Sequence, residues 1–175
     1  MIRIGVIGQS GVIPPEVQEL SEEVGREIAS IGALLLTGGT TGVMEAVSRG
    51  AKSSHGLVVG ILPGDDRKIA NTYIDIPITT GLSFDYRSLI LVHSSDAIIM
   101  IGGGNGTLGE LSAAYLNHKP VVIIEPSGGW AGRIKTAAYE GIYLDHRKNA
   151  VLDFAHSAKE ALDIALTRIH EAENS

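Results

Sequence analysis

Apolar positions in this chain follow two different periods. Short, nearly unbroken apolar runs occur at residues 2–8, 33–36, 57–62, 97–101 and 120–125. Runs of this length between turn residues suit strands buried on both faces. Elsewhere the apolar positions recur at helical spacing. Val17, Leu20, Val24, Ile28 and Ile31 predict an amphipathic helix over 16–31. Further helices are expected over 43–52, over 81–95 with Ser83 as N-cap, from 105–107 onward, and over 131–139 and 158–172. Residues 73–78 alternate and carry Pro77, which suits an edge strand or an extended segment. Residues 67–71 read as polar loop, and residues 151–154 as a last short strand.

Strands alternating with helices predict a Rossmann-like α/β fold, with a doubly wound, mostly parallel sheet and helices on both faces. The length of 175 residues suits a single domain spanning 1–175. Ligands of such sheets bind beyond the carboxyl ends of the strands. Four glycine turns directly follow expected strands and would gather there: Gly8-Gln9-Ser10-Gly11, Gly38-Gly39-Thr40-Thr41-Gly42, Pro63-Gly64, and the run from Gly102 to Gly106. Three of the four carry hydroxyl or amide side chains. The richest is Gly102-Gly103-Gly104-Asn105-Gly106-Thr107. A helix beginning within it would aim free N–H groups and a positive dipole end at the loop, which suits a phosphate.

Composition narrows the ligand. The formal net charge is −6, basic residues do not cluster and aromatics make up 5%, so nucleic acid is not the expected partner. There is no cysteine, hence no thiolate nucleophile and no Cys-ligated metal. The six histidines have no metal-ligand spacing, and no protein-bound metal is expected. No apolar run approaches a membrane span and the first residues lead directly into a strand pattern, so the expected compartment is the cytoplasm.

Two residues stand out as chemistry. Glu110 lies about one turn into the helix behind the glycine loop, where it would face a ligand. Thr107 and Glu110 also have T-x-x-E spacing, in which the carboxylate merely caps the helix. Arg87, in the Phe84-Asp85-Tyr86-Arg87-Ser88 segment, would grip a phosphate or simply lie at the surface. Residues 104–109 also form a literal G-x-G-x-x-G, with Glu125 at the end of the following strand, as in a dinucleotide site. That fingerprint normally occupies the first strand–helix turn, whereas this one is late.

Residues 102–110 resemble the PGGxGTxxE motif of the LOG proteins, cytokinin riboside 5′-monophosphate phosphoribohydrolases. Gly103, Gly104, Gly106, Thr107 and Glu110 match, and Gly102 replaces the proline. Residues 38–44 are similar to the earlier GGSxGLM segment. Residues 84–88 fall where the family has MHxRK, with Arg87 matching and the histidine and lysine absent. Gly81-Leu82-Ser83-Phe84, Gly128-Gly129-Trp130 and Gly141-Ile142-Tyr143-Leu144-Asp145 look closer to a branch labelled DprA/Smf-related, likened to the molybdenum cofactor carrier protein. The first resemblance implies hydrolysis of the N-glycosidic bond of a nucleoside 5′-monophosphate, with Glu110 and Arg87 catalytic and the phosphate held around residues 103–107. The second implies a non-catalytic carrier of molybdenum cofactor or nucleotide. Neither implies a required cofactor. Both imply a homodimer or larger homo-oligomer, for which Leu89-Ile90-Leu91-Val92 and Trp130 are candidate contacts.

Overall fold

The computed structural model describes residues 1–174. Seven strands form one sheet: β1 (Arg3–Gly8), β2 (Leu34–Thr37), β3 (Val58–Leu62), β4 (Ile76–Thr79), β5 (Ala97–Ile101), β6 (Val121–Ile124) and β7 (Leu152–Ala155). Their order is β4-β3-β2-β1-β5-β6-β7, and every pair is parallel. The proline-bearing β4 lies at an edge, where a missing backbone donor costs no ladder bond.

Six helices accompany the strands: α1 (Pro15–Ser30), α2 (Val43–Ser53), α3 (Phe84–Ser94), α4 (Asn105–Leu116), α5 (Ile134–Ala137) and α6 (Ala158–Glu173). Alternate residues of each central strand serve opposite faces. Ala97, Ile99 and Ile101 of β5 join Val24, Val47 and Leu162 in the core under α1, α2 and α6. Ile98 and Met100 join Leu91, Leu111 and Ile134 under α3, α4 and α5. The sheet is thus covered on both sides, and its central strands are almost wholly apolar, with the exposed Arg3 at the start of β1 and Thr37 at the end of β2.

One expected helix shrinks. Residues 131–139 become turns and the single helical turn α5, because Ala138 leaves helical backbone and Tyr139 N–H bonds to the Tyr143 carbonyl at 2.8 Å. Ahead of α5 the amides of Trp130 and Ala131 bond to the carbonyls of Gly103 and Gly102, both at 3.0 Å. No described helix is long and apolar enough to cross a membrane.

Strand order reverses at β1. The chain steps from β1 outward to β4, and α3 then carries it back across the sheet to β5 on the other side of β1. The carboxyl ends of β1 and β5 therefore flank a crevice that no direct connection crosses, the usual ligand position in such sheets.

Candidate functional site

A cavity of about 620 Å³ opens at this crevice, a size suited to a small ligand. Gly8, Gln9 and Ser10 line it from the β1 loop, and Gly38 and Met44 from the β2–α2 connection. Residues 84–89 of α3 form one wall, and Gly104–Thr107, Gly109, Glu110 and Ala113 the other. Gly39, Thr40 and Gly103 do not line it. The carbonyls of Gly39 and Thr40 are used by Asn71, through its backbone amide and its side chain, both at 2.9 Å. Gly103, at φ +100°, clears space for Thr107, whose Cβ and Cγ2 a side chain there would strike.

The N-terminus of α4 is left open. Gly104 is the N-cap and contributes no side-chain cap. The first helical bond runs from Leu108 N–H to the Gly104 carbonyl at 3.1 Å. The N–H groups of Asn105, Gly106 and Thr107 have no partner among the described residues. No acidic residue in the first turn offsets the positive dipole end. Such an array suits a phosphate.

This start also settles Glu110. With Asn105 as the first helical residue, Glu110 lies a full turn beyond the position from which a capping box reaches back. Its carboxylate accepts a hydrogen bond from Ser88 Oγ of α3 at 2.8 Å, and only 8% of the residue is exposed. The capping reading is therefore replaced by a contact between helices. Burial pushes the Glu110 carboxyl above its ordinary range, against the pull of Ser88 and of the charge on Arg87.

Arg87 is no surface arginine, being 4% exposed. Its Nε has no hydrogen-bond partner among the described residues, and no ion pair reaches its guanidinium. The centre of the Phe84 ring lies 5.8 Å from the guanidinium carbon. Burial lowers its pKa and Glu110 only partly opposes this. Both buried charges are thus under-compensated, which is costly in a low-dielectric site. A phosphate against Arg87 would relieve one of them. Gly38 makes the arrangement possible, because a side chain at 38 would collide with Arg87 Nη1 and Met44 Sδ.

The loop after β6 holds the glycine run in place. Ser127 Oγ accepts from Gly102 N–H at 2.7 Å and donates to the Ile124 carbonyl. Gly129, at φ +55°, leaves room for the Gly103 carbonyl. In the sequence, residues 127–130 read as a turn and Gly128-Gly129-Trp130 as part of the family resemblance, while Ser127 carries no signal of its own. Nor does Ser88, whose partner lies 22 residues away. Glu125 faces Lys135 at 3.3 Å and His156 at 3.6 Å and does not line the cavity, so the acid of a dinucleotide site is not at hand. No cluster among the described residues would hold a metal ion.

Not every glycine in the site answers to the protein itself. A Cβ at Gly8 would meet Val43 and the Ile101 carbonyl. A Cβ at Gly104, Gly106 or Gly109 would meet nothing within 4 Å. Gly109 nevertheless sits inside α4, where it costs about 1 kcal/mol relative to alanine, and Gly106 is the second residue of that helix.

Known proteins share this framework. An uncharacterized protein of Archaeoglobus fulgidus is 44% identical over 126 residues, 72% of this chain and 82% of the relative. A cytokinin riboside 5′-monophosphate phosphoribohydrolase of Mycobacterium tuberculosis is 36% identical over 126 residues, 67% of each chain. The molybdenum cofactor binding protein of Rippkaea orientalis superposes with a TM-score of 0.82 at 32% identity, over 96% of this chain and 97% of its own. Residues 1–162, which include every loop of the cavity, match a single family model, and the chain belongs to the SLOG cluster4 family.

Proposed function

We infer that the cavity binds a nucleoside 5′-monophosphate and hydrolyses its N-glycosidic bond to free base and ribose 5-phosphate. The observation that carries this is the pairing of an uncapped α4 N-terminus with two buried, under-compensated charges, Arg87 and Glu110. The amides of Asn105, Gly106 and Thr107 hold the phosphate, and Arg87 supplies a fixed cation. As the bond to the base breaks, its electron pair leaves with the base and positive charge builds on the ribose. Glu110, held by Ser88, stabilises that charge and orients the water that adds to the anomeric carbon. The proton released by the water balances the departing base. The similarity to a named phosphoribohydrolase supports this reading.

A second reading has one observation in its favour. The likeness to the molybdenum cofactor binding protein spans 96% of the chain at 32% identity. In that case the same amides and Arg87 hold the phosphate of the cofactor as cargo, and Glu110 performs no chemistry.

The test is a turnover screen with AMP, GMP, CMP, UMP and IMP, with Glu110→Gln as control. Release of base by the native protein, reduced at least a hundredfold in the variant, is the expected result. Saturable nucleotide or cofactor binding without release would select the carrier reading. Absence of both would sink the two together.

A further inference from the structure

We propose that α4 seats the ring system of the ligand as well as its phosphate, and that Gly106 and Gly109 are the residues that admit it. The ligand class is a phosphomonoester carrying a flat heteroaromatic ring, laid along the helix between this glycine face and Phe84 and Tyr86. The inference rests on the reading that the cavity holds a phosphorylated ligand.

Three observations converge. First, Gly106 and Gly109 are three residues apart on one face of α4, and Ala113 continues it one turn later; all three line the cavity. From Gly106 to Ala113 the helix rises roughly 10 Å, on the scale of a nucleoside. Nothing in the chain requires glycine at 106 or 109, since neither has a positive φ and a Cβ at either would meet nothing within 4 Å. Glycine inside a helix is disfavoured, so the reason for it lies outside the chain.

Second, Arg87 lines the same cavity from α3, with its residue 4% exposed and its Nε unpartnered among the described residues. A buried cation without an acceptor marks this space as a seat for a ligand rather than a bare groove. Third, Phe84 and Tyr86 line the cavity while remaining 60% and 64% exposed. Large aromatic faces left open at a cavity wall suit stacking against another planar ring. A helix wall with glycine at 106 and 109, in one cavity with two exposed rings, leaves a slot suited to something thin.

The experiment compares AMP with ribose 5-phosphate, which shares the phosphate and sugar and lacks the ring. Affinities are measured by calorimetry with Glu110→Gln in every protein, so that AMP is not consumed, comparing the otherwise native chain with Gly109→Ala, Phe84→Leu and Tyr86→Leu. In Gly109→Ala the ratio of AMP affinity to ribose 5-phosphate affinity is expected to fall on the order of tenfold, the effect of one misplaced methyl in a fitted pocket. The same protein without ligand is expected to gain about 2–4 °C in Tm, because alanine favours the helix. The two leucine variants are expected to lower the same ratio without raising Tm. A ratio that stays at the native value in Gly109→Ala would overturn the inference while leaving phosphate binding at the helix N-terminus intact. So would a fall in Tm, which would show that the chain itself needs the glycine. A change in sedimentation coefficient with the ratio unmoved would assign the glycine face to contact between copies instead. Native protein that binds neither probe would overturn the functional reading and this inference with it.

Discussion

At the scale of single residues, the site turns on how Glu110 is paired. Its carboxyl is raised by burial, so folding favours the protonated form. Stability from this group is complete below the ordinary glutamate range and is lost as pH rises through the raised value. Glu110→Gln removes that loss. The ligand-free variant is therefore expected to match the native protein in acid and exceed it at neutral pH, with a limiting slope of about 1.4 kcal/mol per pH unit between the two curves. Asp75 and Asp96, whose carboxyls lie below the ordinary range despite burial, push the other way. They are common to both proteins and cancel in the difference. Urea unfolding across pH 4 to 8 checks this, and parallel curves would refute it. The position of Glu110 behind the glycine loop was legible from spacing, but its environment was not. Thr107 and Glu110 have the letters of a capping box, and only the true start of α4 at Asn105 shows that the spacing is coincidental.

At the scale of elements, the strands were the most legible part, because a strand covered on both faces must be apolar at every position. Helix ends were less so. Ser83 stands at the N-cap of α3 as expected, yet its side chain makes no capping bond. The expected helix over 131–139 shrinks for a reason no local pattern carries: Ala138 turns extended and Tyr139 bonds to Tyr143, while just ahead of α5 the amides of Trp130 and Ala131 clamp the carbonyls of Gly103 and Gly102. This clamp carries its own prediction. Ser127→Ala leaves the buried Gly102 N–H without its acceptor, a loss of about 1–3 kcal/mol in stability. The cost should appear locally, as faster hydrogen exchange at Gly102 ahead of the strand amides of β5. Uniformly faster exchange across β5 would mean that Ser127 supports the sheet as a whole rather than the loop.

At the scale of the whole molecule, α3 makes the site. It leaves the edge strand β4, crosses the sheet and delivers Arg87 and Ser88 against α4 before the chain enters β5. Sequence patterns identify both helices and neither the crossing nor the pairing, since Ser88 and Glu110 meet only through the strand order. The four glycine turns were expected on one edge, and all lie there, since the strands they follow are parallel. Gly39 and Thr40, however, turn out to anchor the segment around Asn71.

The clamp on the glycine run has one further consequence, which is optical. Trp130 is the only tryptophan in the chain, and its backbone amide is bonded to the Gly103 carbonyl, one residue before the N-cap of α4. The protein thus carries a built-in chromophore tied to the loop that would close on a phosphate. Titration with AMP is expected to shift the intensity or wavelength of its emission along the same isotherm that calorimetry records, and adenosine, which lacks the phosphate, to leave the spectrum as it was. Emission that ignores AMP while calorimetry records binding would mean that the loop is rigid enough to receive its ligand without moving.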